Sequence, residues 1–100
     1  MRMKLEEFPQ SNNPVQCSCC DYFSLAESGK SLICPVCYWE DDTMDSTNLN
    51  LDAPSDLNDD MTLREARENF NKFGAFNSKW SDIVISESER ETIKYEARNV

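Results

Sequence analysis

Five cysteines in two tight groups, Cys17-Ser18-Cys19-Cys20 and Cys34-Pro35-Val36-Cys37, constrain this chain more than any other feature. Two residues separate Cys17 from Cys20 and Cys34 from Cys37, and 13 residues lie between the pairs. A two-residue spacer lets backbone N–H groups point at the first sulfur while the second sulfur completes one edge of a tetrahedron. Two such pairs at this separation are the spacing of a zinc ribbon, so Cys17, Cys20, Cys34 and Cys37 are the expected ligands of a structural Zn2+. Cys19 is left over. It reads as a small buried apolar residue, with a substitute ligand or a redox thiol as the alternatives.

A staple of this kind suits the chain. One hundred residues make one domain, and a hydrophobic content of 39% is modest for offsetting the entropy of ordering. Zinc binds only the assembled site, so its binding free energy becomes folding free energy. Disulfides are the competing staple. An odd cysteine count, close pairs and no apolar signal segment after Met1 speak against them and predict a reducing, cytoplasmic setting. No stretch approaches the ~18 apolar residues of a membrane span, so no membrane partner is expected.

The chain contains no histidine. That removes the commonest general base and the imidazole that activates serine and cysteine nucleophiles. A four-thiolate site also leaves no open position for water, which makes the metal structural. No phosphate-cradling glycine loop accompanies the carboxylates. The expectation is a protein that is not an enzyme. Thiol exchange at a Cys-x-x-Cys pair is the enzymatic rival, and it needs a free thiolate that zinc would occupy.

Along the chain, residues 1–16 read as an irregular arm that Leu5 and Phe8 can tack to the core. Residues 17–85 read as the cysteine-rich domain and 86–100 as a helical tail. Tyr22 to Leu25 and Ser31 to Ile33 are expected to pair as a hairpin turning at Gly29, with a knuckle at each neighbouring end. Thr43 to Asp60 reads as loop. The clearest helix runs from Thr62 to Phe73: Thr62 and Glu65 form a capping box, and Gly74 stands where a left-handed residue ends a helix. Leu63, Ala66, Phe70 and Phe73 make its apolar stripe. Trp80, Ile83 and Val84 suit either a short helix capped by Asn77 or Ser78 or a strand through Ile85. Ser86 and Glu89 form a second capping box for a helix from Glu87 to Arg98, whose apolar face is thin. The fold class is α+β, a small zinc-ribbon hairpin packed on a capped amphipathic helix with a C-terminal helix.

Charge supplies the functional hint. The net charge is -9, and no Lys or Arg occurs between Ser31 and Leu63, where Glu40, Asp41, Asp42, Asp45, Asp52, Asp56, Asp59 and Asp60 all fall. A basic protein surface is the natural complement, and a solvated acidic loop is the bland alternative. Trp39 precedes these acids, either as a lid over the sulfurs and the Phe70 stripe or as an exposed aromatic anchor ringed by carboxylates. Arg67 borders the helix stripe and is read as an internal ion-pair partner of Glu40, Asp41 or Asp42.

Three strings, Cys17 to Tyr22, Cys34 to Asp42, and Leu63 to Phe70 with Phe73-Gly74-Ala75, together resemble the bacterial cysteine-rich CPCC family. The strings span Cys17 to Ala75, with two departures: Ser18 stands for a proline and Asp21 for a glycine. Asp reaches the left-handed region more readily than most residues, so the turn survives. The resemblance implies the fold and the metal. By type, a small acidic bacterial domain is similar to immunity proteins that cover a basic nuclease. The expected function is therefore a zinc-stapled, non-catalytic binding protein whose partner is a basic protein such as a secreted toxin domain. The alternatives are a nucleic-acid-binding zinc ribbon, disfavoured because only Lys30 is basic between the knuckles, and a thiol redox or metal-handling protein using Cys19.

Overall fold

A computed structural model describes residues 2–43 and 48–100; Asp45, one of the acids named above, lies outside the described residues. Each cysteine pair folds into the same turn. In the first, the Asp21 N–H donates to the Cys17 carbonyl (3.0 Å) and the Cys17 N–H to the Tyr22 carbonyl (2.8 Å). In the second, the Tyr38 N–H donates to the Cys34 carbonyl (2.8 Å) and the Cys34 N–H to the Trp39 carbonyl (2.9 Å). The residue after each second cysteine is left-handed, Asp21 at φ 69° and Tyr38 at φ 71°. The expected conformation of Asp21 is thus the one found.

The knuckles do not share a hairpin. An antiparallel bridge joins Val15 to Leu25 across the first knuckle, and another joins Ile33 to Glu40 across the second. Among the described residues no bridge links Tyr22–Leu25 to Ser31–Ile33. The reason is local: the backbone groups of Leu25 are spent on Val15, and the Tyr22 carbonyl is spent on Cys17. Each knuckle is the tip of its own minimal ribbon, and almost nothing in the described chain is sheet. The radius of gyration is still 12.2 Å, close to the roughly 13 Å of an ordinary domain of this length, so side-chain packing does the work that ladders do elsewhere.

Helix α1, Leu63–Phe73, keeps both of its expected ends. The Thr62 hydroxyl accepts from the Glu65 N–H (3.2 Å), and the Glu65 carboxylate accepts from the Thr62 N–H (3.0 Å). Gly74 takes φ 77° and its N–H reaches the Phe70 carbonyl at 2.9 Å. Leu63 and Ala66 are buried in one cluster with the cysteines, Val36 and Trp39, and Phe70 packs half-buried against it. Phe73 is the exception, exposed at 46%. The helix ends there, and Phe76 fills the core instead, its ring edge-on to Trp39 at 5.4 Å and its N–H on the Cys37 carbonyl at 2.9 Å.

Beyond α1, Asn77 caps a 3-10 turn over Ser78–Trp80 by accepting from the Lys79 N–H (3.1 Å). This is the helical one of the two expectations for that segment. Val84 and Ile85 are buried, and the Ile85 N–H donates to the Pro35 carbonyl at 3.1 Å. Helix α2 is Glu87–Arg90, capped by Ser86, and it stops after one turn rather than running to Arg98. With only Ile93 and Ala97 to bury, a longer helix had little to gain. The chain instead extends across the first knuckle, where Lys94 O accepts from Phe23 N (2.8 Å) and Tyr95 bridges to Tyr22.

The acidic segment is likewise more built than a solvated loop. Ser55 bridges Met61 around a 3-10 turn over Asp56–Asn58, and Asp59 and Asp60 follow in the left-handed region at φ 59° and 58°. Buried Asn58 fixes this unit. Its amide donates to the Glu40 carbonyl (2.9 Å) and to Ser55 Oγ (2.8 Å), and its oxygen accepts from the Glu40 N–H (2.8 Å). At the N-terminus, a 3-10 turn over Leu5–Glu7 is tied to α2 by the Leu5 N–H on the Glu89 carboxylate (2.9 Å).

Candidate metal centre

The two turns place four buried sulfurs together. Those of Cys17, Cys20, Cys34 and Cys37 all lie within 4.8 Å of one another. Across the knuckles, Cys17 Sγ is 3.6 Å from Cys37 Sγ and Cys20 Sγ is 3.7 Å from Cys34 Sγ. A tetrahedron with metal–sulfur bonds of about 2.3 Å has edges of ~3.8 Å, whereas a disulfide bond is only ~2.05 Å. The donor set therefore fits a four-coordinate metal ion, and the five cysteines are unbridged.

The surroundings are prepared for negative charge on sulfur. The Cys19 N–H points at Cys17 Sγ (3.4 Å) and the Val36 N–H at Cys34 Sγ (3.3 Å), as the spacer argument requires. Ser24 Oγ lies 2.9 Å from Cys34 Sγ. Burial pushes the Cys20 and Cys37 thiols well up. At Cys34 burial acts the same way, but hydrogen bonds from Cys17, Cys20, Cys37 and Ser24 outweigh it and hold that thiol well below the usual range. Four thiols crowded out of water cannot all ionise alone; a dication is the counter-charge that allows it. Cys19 lies outside the group of four, buried at 2% exposure, and burial keeps it protonated.

The first knuckle carries a feature that sequence reading missed in part. Arg67, from α1, forks onto Asp21, Nη1 to Oδ1 at 2.7 Å and Nη2 to Oδ2 at 2.8 Å. Its Nη1 also donates to the carbonyls of Ser18 (2.7 Å) and Cys19 (3.3 Å). Arg98 meets the same carboxylate: its backbone N–H donates to Asp21 Oδ2 (2.9 Å), and its Nη1 donates to Asp21 Oδ1 (3.1 Å) and the Cys17 carbonyl (2.9 Å). Burial would raise the Asp21 carboxyl, yet the two arginines hold it below the usual carboxylate range. Arg67 is thus an internal ion-pair partner, as expected, but of Asp21 and not of Glu40, Asp41 or Asp42. The signal available in the sequence was the carboxylate at a turn position that glycine would serve.

The acids divide. Trp39 is only 1% exposed and lies in the core, so the anchor reading gives way to the lid reading, with Phe76 as its neighbour. Asp41 is buried at 4%, and burial, together with the nearby Cys17, raises its carboxyl even though the Thr43 N–H donates to it. Glu40 is half-buried through its ties to Asn58. Asp42, Asp52, Asp56, Asp59 and Asp60 are exposed. Asp52 pairs with Arg64 (2.9 Å) and Asp59 with Lys79 (2.9 Å).

Comparison with family models settles membership, because the model of the cysteine-rich CPCC proteins matches residues 15–91. The chain belongs to this family. A comparison with curated proteins and one with solved structures each found no match. The CPCC match holds both knuckles, α1 and α2, and ends before the extended segment that delivers Arg98. No helix among the described residues is long and apolar enough to cross a membrane.

Proposed function

We propose that this member of the CPCC family is a non-catalytic binding protein, stapled by one Zn2+ on Cys17, Cys20, Cys34 and Cys37, that docks a cationic protein on its acidic surface. The observation that carries the staple is the buried, closed group of four sulfurs at tetrahedral spacing. Zinc is the ion that this donor set favours: soft thiolates in a tetrahedron, with no fifth donor position. When bound, the ion would supply cross-linking of the two knuckles and no reactive water.

The partner reading rests on charge. The chain carries -9 overall, and among the described residues Asp42, Asp56 and Asp60 are exposed without an ion-pair partner. Leu57 stands between them at 48% exposure on a turn that Asn58 holds rigid. A rigid, acidic, partly apolar surface fits a basic protein patch, and a secreted toxin domain that the protein neutralises is the sharpest form of that reading. The staple is tested by metal analysis of the purified protein, expected to give one zinc per chain. The partner is tested by affinity capture from the native host at low and high salt. A basic protein released by salt supports the reading; binding to oligonucleotides with no protein partner overturns it.

A further inference from the structure

The two halves of the metal centre are held differently. The second knuckle is fixed by neutral backbone bonds from the domain's interior: Phe76 N–H on the Cys37 carbonyl (2.9 Å) and Ile85 N–H on the Pro35 carbonyl (3.1 Å). The first knuckle is held from outside by two guanidinium groups, which between them donate to the carbonyls of Cys17, Ser18 and Cys19. Arg67 comes from the middle of a capped helix and is fixed in place. Arg98 comes from an extended segment of the C-terminal tail.

Every described bond that anchors residues 94–98 falls on residues 16–23. The Lys94 carbonyl accepts from Phe23 N–H (2.8 Å), and the Glu96 carbonyl accepts from Gln16 Nε2 (2.6 Å). Tyr95 packs on Tyr22 with ring centroids 4.9 Å apart and planes tilted by 52°. Arg98 closes onto Asp21 and Cys17. The segment has no other attachment among the described residues, so it is a strap over the first knuckle alone.

Charge and dipole make the strap relevant to the ion. Four thiolates on a dication leave two negative charges in a buried site. Arg67 and Arg98 with Asp21 leave one positive charge beside it. Arg67 donates to the Ser18 carbonyl, in the same peptide as the Cys19 N–H that faces Cys17 Sγ at 3.4 Å, and Arg98 holds the peptide before it through the Cys17 carbonyl. We propose that residues 94–98 are a latch on the metal centre: Arg98 sets how fast the ion leaves, and the ion leaves through the first knuckle while the second stays formed. This proposal rests on the zinc reading above.

The test uses the full chain loaded with one zinc and follows transfer of the ion to a coloured chelator. Loss of an outer-shell partner typically weakens a metal site by about 10- to 100-fold, and Arg98→Gln is expected to speed release by at least about tenfold. Arg98→Lys, which keeps the charge but not the double contact, should fall between Arg98→Gln and the parent, and Arg64→Gln on the exposed face of α1 should match the parent. Hydrogen exchange supplies the second readout: in Arg98→Gln the amides of residues 17–23 should lose protection while those of 34–39 keep theirs. Release at the parent rate, or equal loss of protection in both knuckles, overturns the latch and leaves the zinc site standing. A chain that takes up no ion overturns both.

Discussion

Asp21 and Arg98, near opposite ends of the chain, are joined by two contacts to one buried carboxylate, a backbone N–H at 2.9 Å and a guanidinium nitrogen at 3.1 Å. With Arg67 also forked onto it, the carboxylate is 5% exposed and fully engaged. Asp21 therefore has two jobs: it takes the left-handed turn and it neutralises two half-buried cations.

Replacing Asp21 separates those jobs. Asn tolerates the left-handed conformation nearly as well, so Asp21→Asn removes charge and leaves the turn. Stranding part of a buried ion-pair network costs about 3 kcal/mol, and the metal-loaded variant should be destabilised by that order in urea unfolding. Asp52→Asn is the contrast, because its pair with Arg64 is exposed at both partners and should leave the midpoint nearly unchanged. Equal effects from the two substitutions would show that burial of Asp21 has been misjudged.

Asn58 makes a prediction that concerns only the acidic turn. Asn58→Ala leaves the Glu40 N–H and carbonyl, both part-buried, without their partners. Unsatisfied buried backbone groups cost about 1–3 kcal/mol, so a loss near 2 kcal/mol is expected. Because the turn carries Leu57 and its flanking acids, affinity for the captured partner should fall by more than the stability loss explains. Partner binding at parent strength by a folded Asn58→Ala protein would sever the turn from the docking surface.

These substitutions also mark where the sequence was readable. The grouping of Cys17, Cys20, Cys34 and Cys37 was legible because the two-residue spacing within each pair needs no tertiary information. Helix α1 was legible because Thr62, Glu65 and Gly74 mark both ends by local chemistry. The tail was not: Ser86 and Glu89 signal a start correctly, but where the helix ends depends on backbone partners that the first knuckle offers to Lys94 and Tyr95. The shared hairpin failed for the same reason, since Leu25 finds Val15 rather than the strand after Gly29. Asn58 was hidden because burial of one residue in an acidic run is decided by packing, not by its neighbours in sequence, and for the same reason the sequence left Trp39 open between lid and anchor.

Gly74 offers a test of pure backbone conformation. An added Cβ there meets nothing within 4 Å, so Gly74→Ala is opposed only by φ at +77°. A left-handed residue with a side chain costs about 1–2 kcal/mol, and Gly74→Asn should cost less. Thermal unfolding of the two variants should rank Gly above Asn and Asn above Ala. Ala at parent stability would mean that α1 can end another way.

The remaining prediction divides the cysteines. In the zinc-loaded protein no thiol should react with a thiol reagent, because four are ligands and Cys19 is 2% exposed with its proton held by burial. Adding a chelator should make all five reactive, since the metal's binding energy is part of the folding energy. Cys34→Ser loses both a ligand and the hydrogen-bonding centre for Ser24 and Val36, and should bind no zinc and fail to fold. Cys19→Ala should keep one ion per chain and lose only about 1 kcal/mol for a small buried side chain. Acid should strip the ion from both the parent and Cys19→Ala over the same pH range, because protons compete for the same four sulfurs in each. An ion count below one in Cys19→Ala would make Cys19 a ligand and break the four-sulfur assignment.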